Sequence, residues 1–376
     1  MATTNFTLLT SEQKTAWSLD FWKQARNLSF TNKFMGEGQD AMIQRITELS
    51  QTKRGARAVI TLLADLEGDG VAGDRTLEGN EEIGKAYDQV IRIDQLRSAQ
   101  KHEGKVAEQK SIVKFRENAR DKLAYWAADR LDQLAFLTLA GIDYKYKNSA
   151  AGVTRIGSDL QNLEFNADVK APSSKRVFRW DGTSATKTLV LGGATSGVVA
   201  TDTPTWETFV QLKAYAKENY IRGTGGEGGN ETYHAFLCPQ AMMKLKLDPI
   251  FRDNLRYGQE RGDKNQLFAG GNSVKIDGIM LHEFRHVPNT RQSVSGTNKW
   301  GSGSNVDGCQ VLFCGAQALG FADIGEAEWN EKEFDFGNQQ AVSVAKMFGF
   351  LKPQFTTQYS GGTVEDHGVI SCYVAM

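Results

Sequence analysis

His282-Glu283-Phe284-Arg285-His286 satisfies the H-E-x-x-H spacing. On a helix, that spacing sets two imidazoles on one face around a zinc ion, with the Glu as general base of a peptidase. The flanks argue against a helix here. Gly278 and Pro288 bracket the segment, and residues 274–284 (VKIDGIMLHEF) read as a strand. Strand residues four apart lie ~13 Å from one another, too far for one zinc with bonds of ~2.1 Å. A zinc metallopeptidase is therefore a minor alternative. The acidic stretch 65–82 (DLEGDGVAGDRTLEGNEE) suggests cation chemistry of another kind, with seven acids against one Arg. Asp65, Glu67, Asp69 and Gly70 match early positions of a calcium loop, but Thr76 stands where the bidentate Glu belongs. No helices flank it, and it reads as a solvated loop. The glycine run at 223–229 lacks the G-K-[ST] of a phosphate loop, and Arg261-Gly262-Asp263 is too short to carry a function. Cys238, Cys309, Cys314 and Cys372 contain no C-x-x-C pair and read as reduced, buried thiols. No Ser/His/Asp set has a local signature. The expectation is no catalytic residue, no metal site and no cofactor.

The elements that carry these residues are more informative. Residues 106–140 form the longest uninterrupted helical pattern. Ile112, Phe115, Ala119, Leu123, Trp126, Ala127, Leu131, Leu134 and Leu137 recur mostly at three- and four-residue steps, which is one helical face. Phe115, Leu123, Trp126, Leu131 and Leu134 are its expected core residues. Lys114, Arg116, Glu117, Arg120, Asp121, Lys122, Asp129 and Asp132 make the expected solvated side. Gly141 stands where a helix ends in a left-handed residue. At ~1.5 Å per residue such a rod is roughly 50 Å long. It must lie across something wide, and its single stripe predicts packing on one layer.

Before it, residues 1–35 read as a polar arm with a short amphipathic helix capped by Thr10 or Ser11 and bearing Trp17, Phe21, Trp22, Ala25 and Leu28. Two Trp in so short an arm need a surface to cover them, either the chain's own core or a neighbouring subunit. Residues 58–63 and 85–97 then read as two strands of a long hairpin with the acidic stretch at its end. An isolated hairpin is marginal in water, so another chain is a good candidate to hold it. After the long helix, 142–200 is irregular, with short strands at 175–180 and 187–191. A helix follows to about Tyr220, with Thr203 as cap and Pro204 at its first position. Beyond come a strand at 233–237, a helix at 239–247, a charged loop through 263, and strands at 274–287, 310–314, 316–321, 342–348 and 368–375. Strands with inserted helices make the class α+β.

Composition sets the limits. The 376 residues are 40% hydrophobic and 24% charged, enough for a substantial core. A net charge of -1 removes any bulk attraction to nucleic acid or membrane. The amino terminus lacks the charged and apolar regions of a signal peptide, and no run approaches the length of a membrane span.

Gly68-x-Gly70-Val71-x-Gly73-Asp74, then Leu77-Glu78-Gly79-Asn80-Glu81-Glu82 and Ile93-Asp94-Gln95-Leu96-Arg97, resembles the major capsid protein family of tailed bacteriophages, of the podophage N-four type. Trp17 with Ala25-Arg26, Phe34-Met35-Gly36-x-Gly38, Thr47-Glu48-Leu49, and Trp126, Ala127 and Asp132 fit the same pattern. Pro239-Gln240 and Ile276-Asp277-Gly278 fit less tightly. The resemblance implies a Hong-Kong-97-type capsid fold. Its parts would be an N-terminal arm (1–46), an extended E-loop hairpin (47–100), a P-domain with the spine helix (101–200), an A-domain (about 201–325) and a return to the P-domain (326–376).

It also implies hexamers and pentamers closing an icosahedral shell around double-stranded DNA held loosely inside. A scaffolding protein, a portal at one vertex and a cement protein would be partners, with no membrane. The protein would be made in the host bacterial cytoplasm and reside in the virion capsid. Trp17, Phe21 and Trp22 of the arm, and Asp69, Asp74, Arg75, Glu78, Glu81 and Glu82 of the hairpin end, are then the expected inter-subunit contacts. An encapsulin-like cargo compartment of the same fold is the other alternative. The zinc reading has a direct check: metal analysis of the purified protein is expected to find no stoichiometric zinc, and His282→Ala is expected to leave metal content unchanged.

Overall fold

The computed structural model describes residues 10–47, 57–63, 70–79, 81, 86–106, 115–183, 186–225, 231–257, 273–356 and 363–376. Helix α1 is Ser11–Leu28. Thr10 caps it in a reciprocal box: the Gln13 N–H donates to Thr10 Oγ1 at 3.4 Å and the Thr10 N–H to Gln13 Oε1 at 3.1 Å. Helix α2, Phe115–Ala140, is the spine. Lys105 and Val106 are already helical, while residues 107–114 of the expected rod, with Ile112, lie outside the described residues. Gly141 ends α2 at φ +70°, and the Ile142 N–H returns to Leu137 O at 2.9 Å, so the left-handed stop falls where expected.

The expected single stripe holds only for the first part of α2. There Phe115, Ala119, Leu123, Ala124 and Ala128 are buried. Residues 131–140 are buried on every side. Asp132, expected on the solvated side, is 4% exposed. Its carboxylate accepts from Ser29 Oγ (2.7 Å), the Phe30 N–H (2.9 Å), the Thr31 N–H (3.0 Å) and Thr31 Oγ1 (2.7 Å). A helix pattern cannot show this, because the arm's turn supplies the donors. Trp126, expected in the core, is only half-buried, at the rim of the contact with Leu96.

The spine serves two sheets. In the first, of five strands, β1 (Met35–Gly36) pairs β2 (Ile43–Ile46), then β14 (Leu319–Phe334), β15 (Gln339–Leu351) and β5 (Asp94–Lys101). The second runs β11 (Ser273–Ile276), β12 (Ile279–Glu283), β10 (Tyr233–Leu237), β13 (Gly308–Cys314), β18 (Val369–Ala375), β8 (Val177–Asp181) and β9 (Thr188–Leu191). The first half of α2 lies against α1 and the five-stranded sheet. Its end meets the seven-stranded sheet: Phe136 packs on Phe236 at 5.4 Å, and Gln310 Nε2 donates to Ala140 O at 3.0 Å. Strand β5 pairs with β15 in the five-stranded sheet, and β8 and β18 share the seven-stranded sheet with β9 to β13.

Four local expectations change. Thr205, not Thr203, caps helix α3 (Trp206–Glu218), because its extended backbone (φ -126°) lets its hydroxyl and that of Thr208 satisfy the first turn. The expected strand 274–287 is a hairpin: Asp277 (φ 43°) and Gly278 (φ 74°) form a two-residue turn between β11 and β12. Part of the expected charged loop is helix α5 (Pro249–Tyr257), which follows α4 (Pro239–Leu247) directly. The 16- and 13-residue strands β14 and β15 also extend well beyond the short strands expected there. They join through a turn at Asp335, Phe336 and Gly337, all with positive φ. A bulge at Gly325 leaves backbone carbonyls that the buried Lys346 ammonium fills, donating to Ile324 O and Gly325 O while pairing with Asp323.

The H-E-x-x-H segment is not a helix: His282 and Glu283 end strand β12, and Arg285 and His286 lie in the turn beyond it. The two rings face different partners: His282 Nε2 is 3.0 Å from His234 Nδ1, and His286 Nε2 is 2.6 Å from Asp129 Oδ1. Among the described residues no group of three or more His, Cys, Asp or Glu is arranged to hold a metal ion. The four cysteines are free and buried. No helix among the described residues is long and apolar enough to cross a membrane.

Two outcomes follow. Asp132→Ala strands four donors of the arm turn and should cost about 3–5 kcal/mol in denaturant unfolding. Trp126→Ala, at a half-buried site, should cost about half of what a fully buried Trp would lose. The reverse order would remove the carboxylate from its structural role. Burial lowers the pKa of His234 to about 4, and burial with the charges of His234 and Lys33 lowers His282 to about 4. An unfolded chain binds those protons near pH ~6.5, so it takes up protons first as pH falls. The stabilisation from the neutral pair is thus complete above pH ~6.5 and lost as pH falls toward about 4, by about 2–4 kcal/mol for the pair. Unfolding midpoints measured across that window should fall in the native protein and flatten in His234→Phe.

Candidate assembly surfaces

The arm is resolved in favour of its own subunit. Phe21, Trp22 and Ala25 are buried against the subunit's own core. The Trp17 ring lies tilted against Trp329 at 5.6 Å, and Phe21 lies 6.4 Å from the same ring. Ser18 Oγ donates to Ala327 O, Arg120 pairs with Asp20 at 2.7 Å, and Lys346 sits 4.5 Å over the Trp22 ring. Phe21 and Trp22, expected among the inter-subunit contacts, are covered within their own subunit where β14 passes, and Trp17 is half-covered by the same strand.

The projecting element is a two-stranded ribbon, β3 (Arg57–Leu63) with β4 (Ala86–Arg92). Its register runs from Arg57↔Arg92 at the root to Leu63↔Ala86. Alternation divides its faces. Ala58, Ile60 and Ile91 are buried over Ile46, Ala322 and Leu351, while Val59 and Val90 point to solvent. Gly349 makes the close approach possible, because a Cβ there would strike Arg92 O. Gln354 N donates to Gln89 Oε1 at 3.1 Å, the Gln89 amide returns to Gln354 O, and Arg92 meets Asp168 at 3.4 Å.

Of the expected contact residues at the ribbon's end, Asp74, Arg75, Glu78 and Glu81 are exposed. Glu81 Oε2 accepts from the Gly79 N–H at 2.7 Å. Leu77 among them is 59% exposed. Asp69 and Glu82, with Asp65 and Glu67 of the calcium-like pattern, lie outside the described residues.

A second surface had no signal in the sequence. A cleft of about 930 Å³ opens between β5, the face of α2 and residues 147–163. Arg97, Arg130, Lys147 and Arg155 line it, with Trp126 and Ile156 as its apolar parts. Arg155 Nε donates to Tyr146 O (2.9 Å) and its terminal nitrogen to Asn148 Oδ1 (3.0 Å), so backbone and amide hold it, not a carboxylate. Burial, and then the charge of Arg130, push the Arg155 pKa down. Beside the cleft, burial works against ionisation of Asp129, yet His286, Arg285 and Arg130 together hold its carboxyl below the usual range. These cations are spread over some sixty residues of chain, and no spacing rule could have grouped them.

The comparisons agree along the whole chain. A family model described as "Phage capsid protein" matches residues 5–376. A major capsid protein of Pseudomonas phage KPP25 is 59% identical over 372 residues, covering 99% of this chain and 97% of that one. Among solved structures, the capsid of Ralstonia phage GP4 superposes with a TM-score of 0.72 at 23% identity, covering 92% of this chain and 91% of that one. The capsid of cyanophage Pam1 gives 0.67 at 18% identity, covering 99% of each. The fold is the Hong-Kong-97-type α+β capsid fold, and the chain belongs to the phage capsid protein family.

Proposed function

We propose that this chain is the major capsid protein of a tailed phage. Many identical copies close as hexamers and pentamers into an icosahedral shell around packaged double-stranded DNA. The full-length likeness to a curated major capsid protein carries this reading. The physics of the subunit supports it. The spine and two sheets make a stiff plate, and the ribbon leaves that plate with its end uncovered by its own chain. A subunit that builds such an excursion exposes apolar and charged groups that only a neighbour can cover.

The work of such a protein is mechanical. Many modest contacts, repeated around a closed shell, add to strong association. The net charge of -1 suits a wall that must not grip the genome. Residence in the virion follows from the reading. Synthesis in the host cytoplasm, a scaffolding protein, a portal at one vertex and a cement protein belong to the same proposal. The division into arm, E-loop, P-domain and A-domain is likewise proposed, with the E-loop's projecting part confined to the β3–β4 ribbon and its end.

Deleting residues 69–80 should leave a soluble subunit with an unchanged melting profile that no longer forms stable shells. Normal particles from that deletion in negative-stain micrographs would remove the ribbon from assembly. Absence of particles from the unaltered protein, co-expressed with the neighbouring head genes, would overturn the capsid reading itself.

A further inference from the structure

Two thiols meet at the start of α4. Cys238 immediately precedes this helix, and Cys309 lies in β13, the middle strand of the seven-stranded sheet. The Cys238 N–H donates to Cys309 Sγ at 3.4 Å, so the second sulfur lies against the backbone that carries the first. Cys238 Sγ is also 3.1 Å from Met376 Sδ. Cys238 and Met376 line a cavity of about 410 Å³, together with Arg285, His286 and Arg291. The two sulfurs are unlike. The Cys309 thiol draws the Cys238 pKa down, burial opposes this, and the N–H groups of Ala241 and Gln240 in the first turn of α4 add to the fall. Burial, and then Cys238 itself, push Cys309 up. One sulfur is thus the readier thiolate, and the other stays a thiol beside it. Burial dominates at Cys314 and Cys372, in β13 and β18, and pushes both up.

We propose that Cys238 and Cys309 are a redox pair that closes into a disulfide within the subunit when hydrogen peroxide enters the cavity beside Cys238. The Cys238 thiolate attacks one peroxide oxygen, the O–O bond breaks, and Cys238 becomes a sulfenic acid. The departing hydroxide takes up the proton that Cys238 had released and leaves as water. The Cys309 sulfur then attacks the sulfenic sulfur. An S–S bond forms, the S–O bond breaks, and the hydroxyl leaves with the Cys309 proton as a second water. The two sulfurs together give up two electrons, and the peroxide accepts them.

The bond would join positions 71 apart in sequence and enclose α4, α5, β11 and β12 in one covalent loop tied to the sheet's middle strand. Closing so long a loop removes conformations from the unfolded chain, so the oxidised subunit is the more stable form. A chain folded in a reducing compartment keeps its thiols, and the staple sets on later exposure to oxidant. All of this chemistry lies within one subunit, and it holds whether or not copies assemble.

The test uses the purified full chain, treated with hydrogen peroxide, quenched, unfolded and alkylated with N-ethylmaleimide before mass spectrometry. The untreated chain should carry four adducts, one for each free cysteine, and the oxidised chain two fewer. The peptides of Cys238 and Cys309 should be joined, and a reductant should restore every adduct. Oxidation should also raise the melting midpoint, reversibly. Cys309→Ser should block the link and leave a sulfenic acid at Cys238 that dimedone traps. An undiminished set of adducts after peroxide, oxygen added to Met376 alone, or a link through Cys314 or Cys372 would each overturn the pair. The mass readout on the unaltered chain needs no variant, so it decides the question even where Cys309→Ser fails to fold.

Discussion

The subunit depends on one buried carboxylate. Asp132 sits in the part of α2 that is covered on all sides, and it gathers two backbone N–H groups and two hydroxyls from residues 29–31. A carboxyl group at that depth is tolerable only if its polar atoms are partnered, and here four donors meet them. The consequence is positional. The turn after α1 is pinned to the spine, so α1 must run back along β14, where Trp17, Phe21 and Trp22 meet Trp329 and Lys346. The same turn delivers Phe30 onto Phe284 at 4.1 Å and Phe34 onto His282 at 4.8 Å. One anchor therefore places the arm over the five-stranded sheet and its following turn over the seven-stranded sheet, and the plate becomes rigid.

Rigidity is what makes the projecting parts meaningful. The β14–β15 hairpin keeps its length through a bulge whose carbonyls are filled by Lys346. Burial lowers the pKa of that ammonium, partly offset by Asp323. At its far end Phe336 is fully exposed in a left-handed turn. The ribbon β3–β4 is rooted by Ile60 and Ile91 against Gly320 and Gly349, and at Gly349 a side chain would strike the Arg92 carbonyl. Its exposed end is acidic and the cleft at its base is basic. A near-neutral chain thus carries a separated charge pattern.

Much of this was legible in the residues. The α+β class, the overlong helix and its glycine stop, the ribbon and its acidic end, and the strand character of the His282 segment all rest on local rules. Periodicity, left-handed glycine and strand spacing act within a few residues, and the chain obeys them there. The family likeness at 68–97 was equally local. The Asp-Gly hairpin between β11 and β12 was also local and was misread. Its two central residues take positive φ, and that turn chemistry outranks an apolar run on either side.

What tertiary structure alone decided has a common cause. Asp132 looks like any polar residue on a helix, and only the folded arm turns it into an anchor. Trp17 and Trp22 demand a cover by their chemistry, but which surface supplies it depends on where β14 passes. The basic cleft exists because β5, α2 and residues 147–163 converge. A sequence states what each side chain needs, since that is intrinsic to its chemistry. Which partner meets the need is set by contacts between segments tens to hundreds of residues apart, and those are fixed by packing rather than by spacing along the chain.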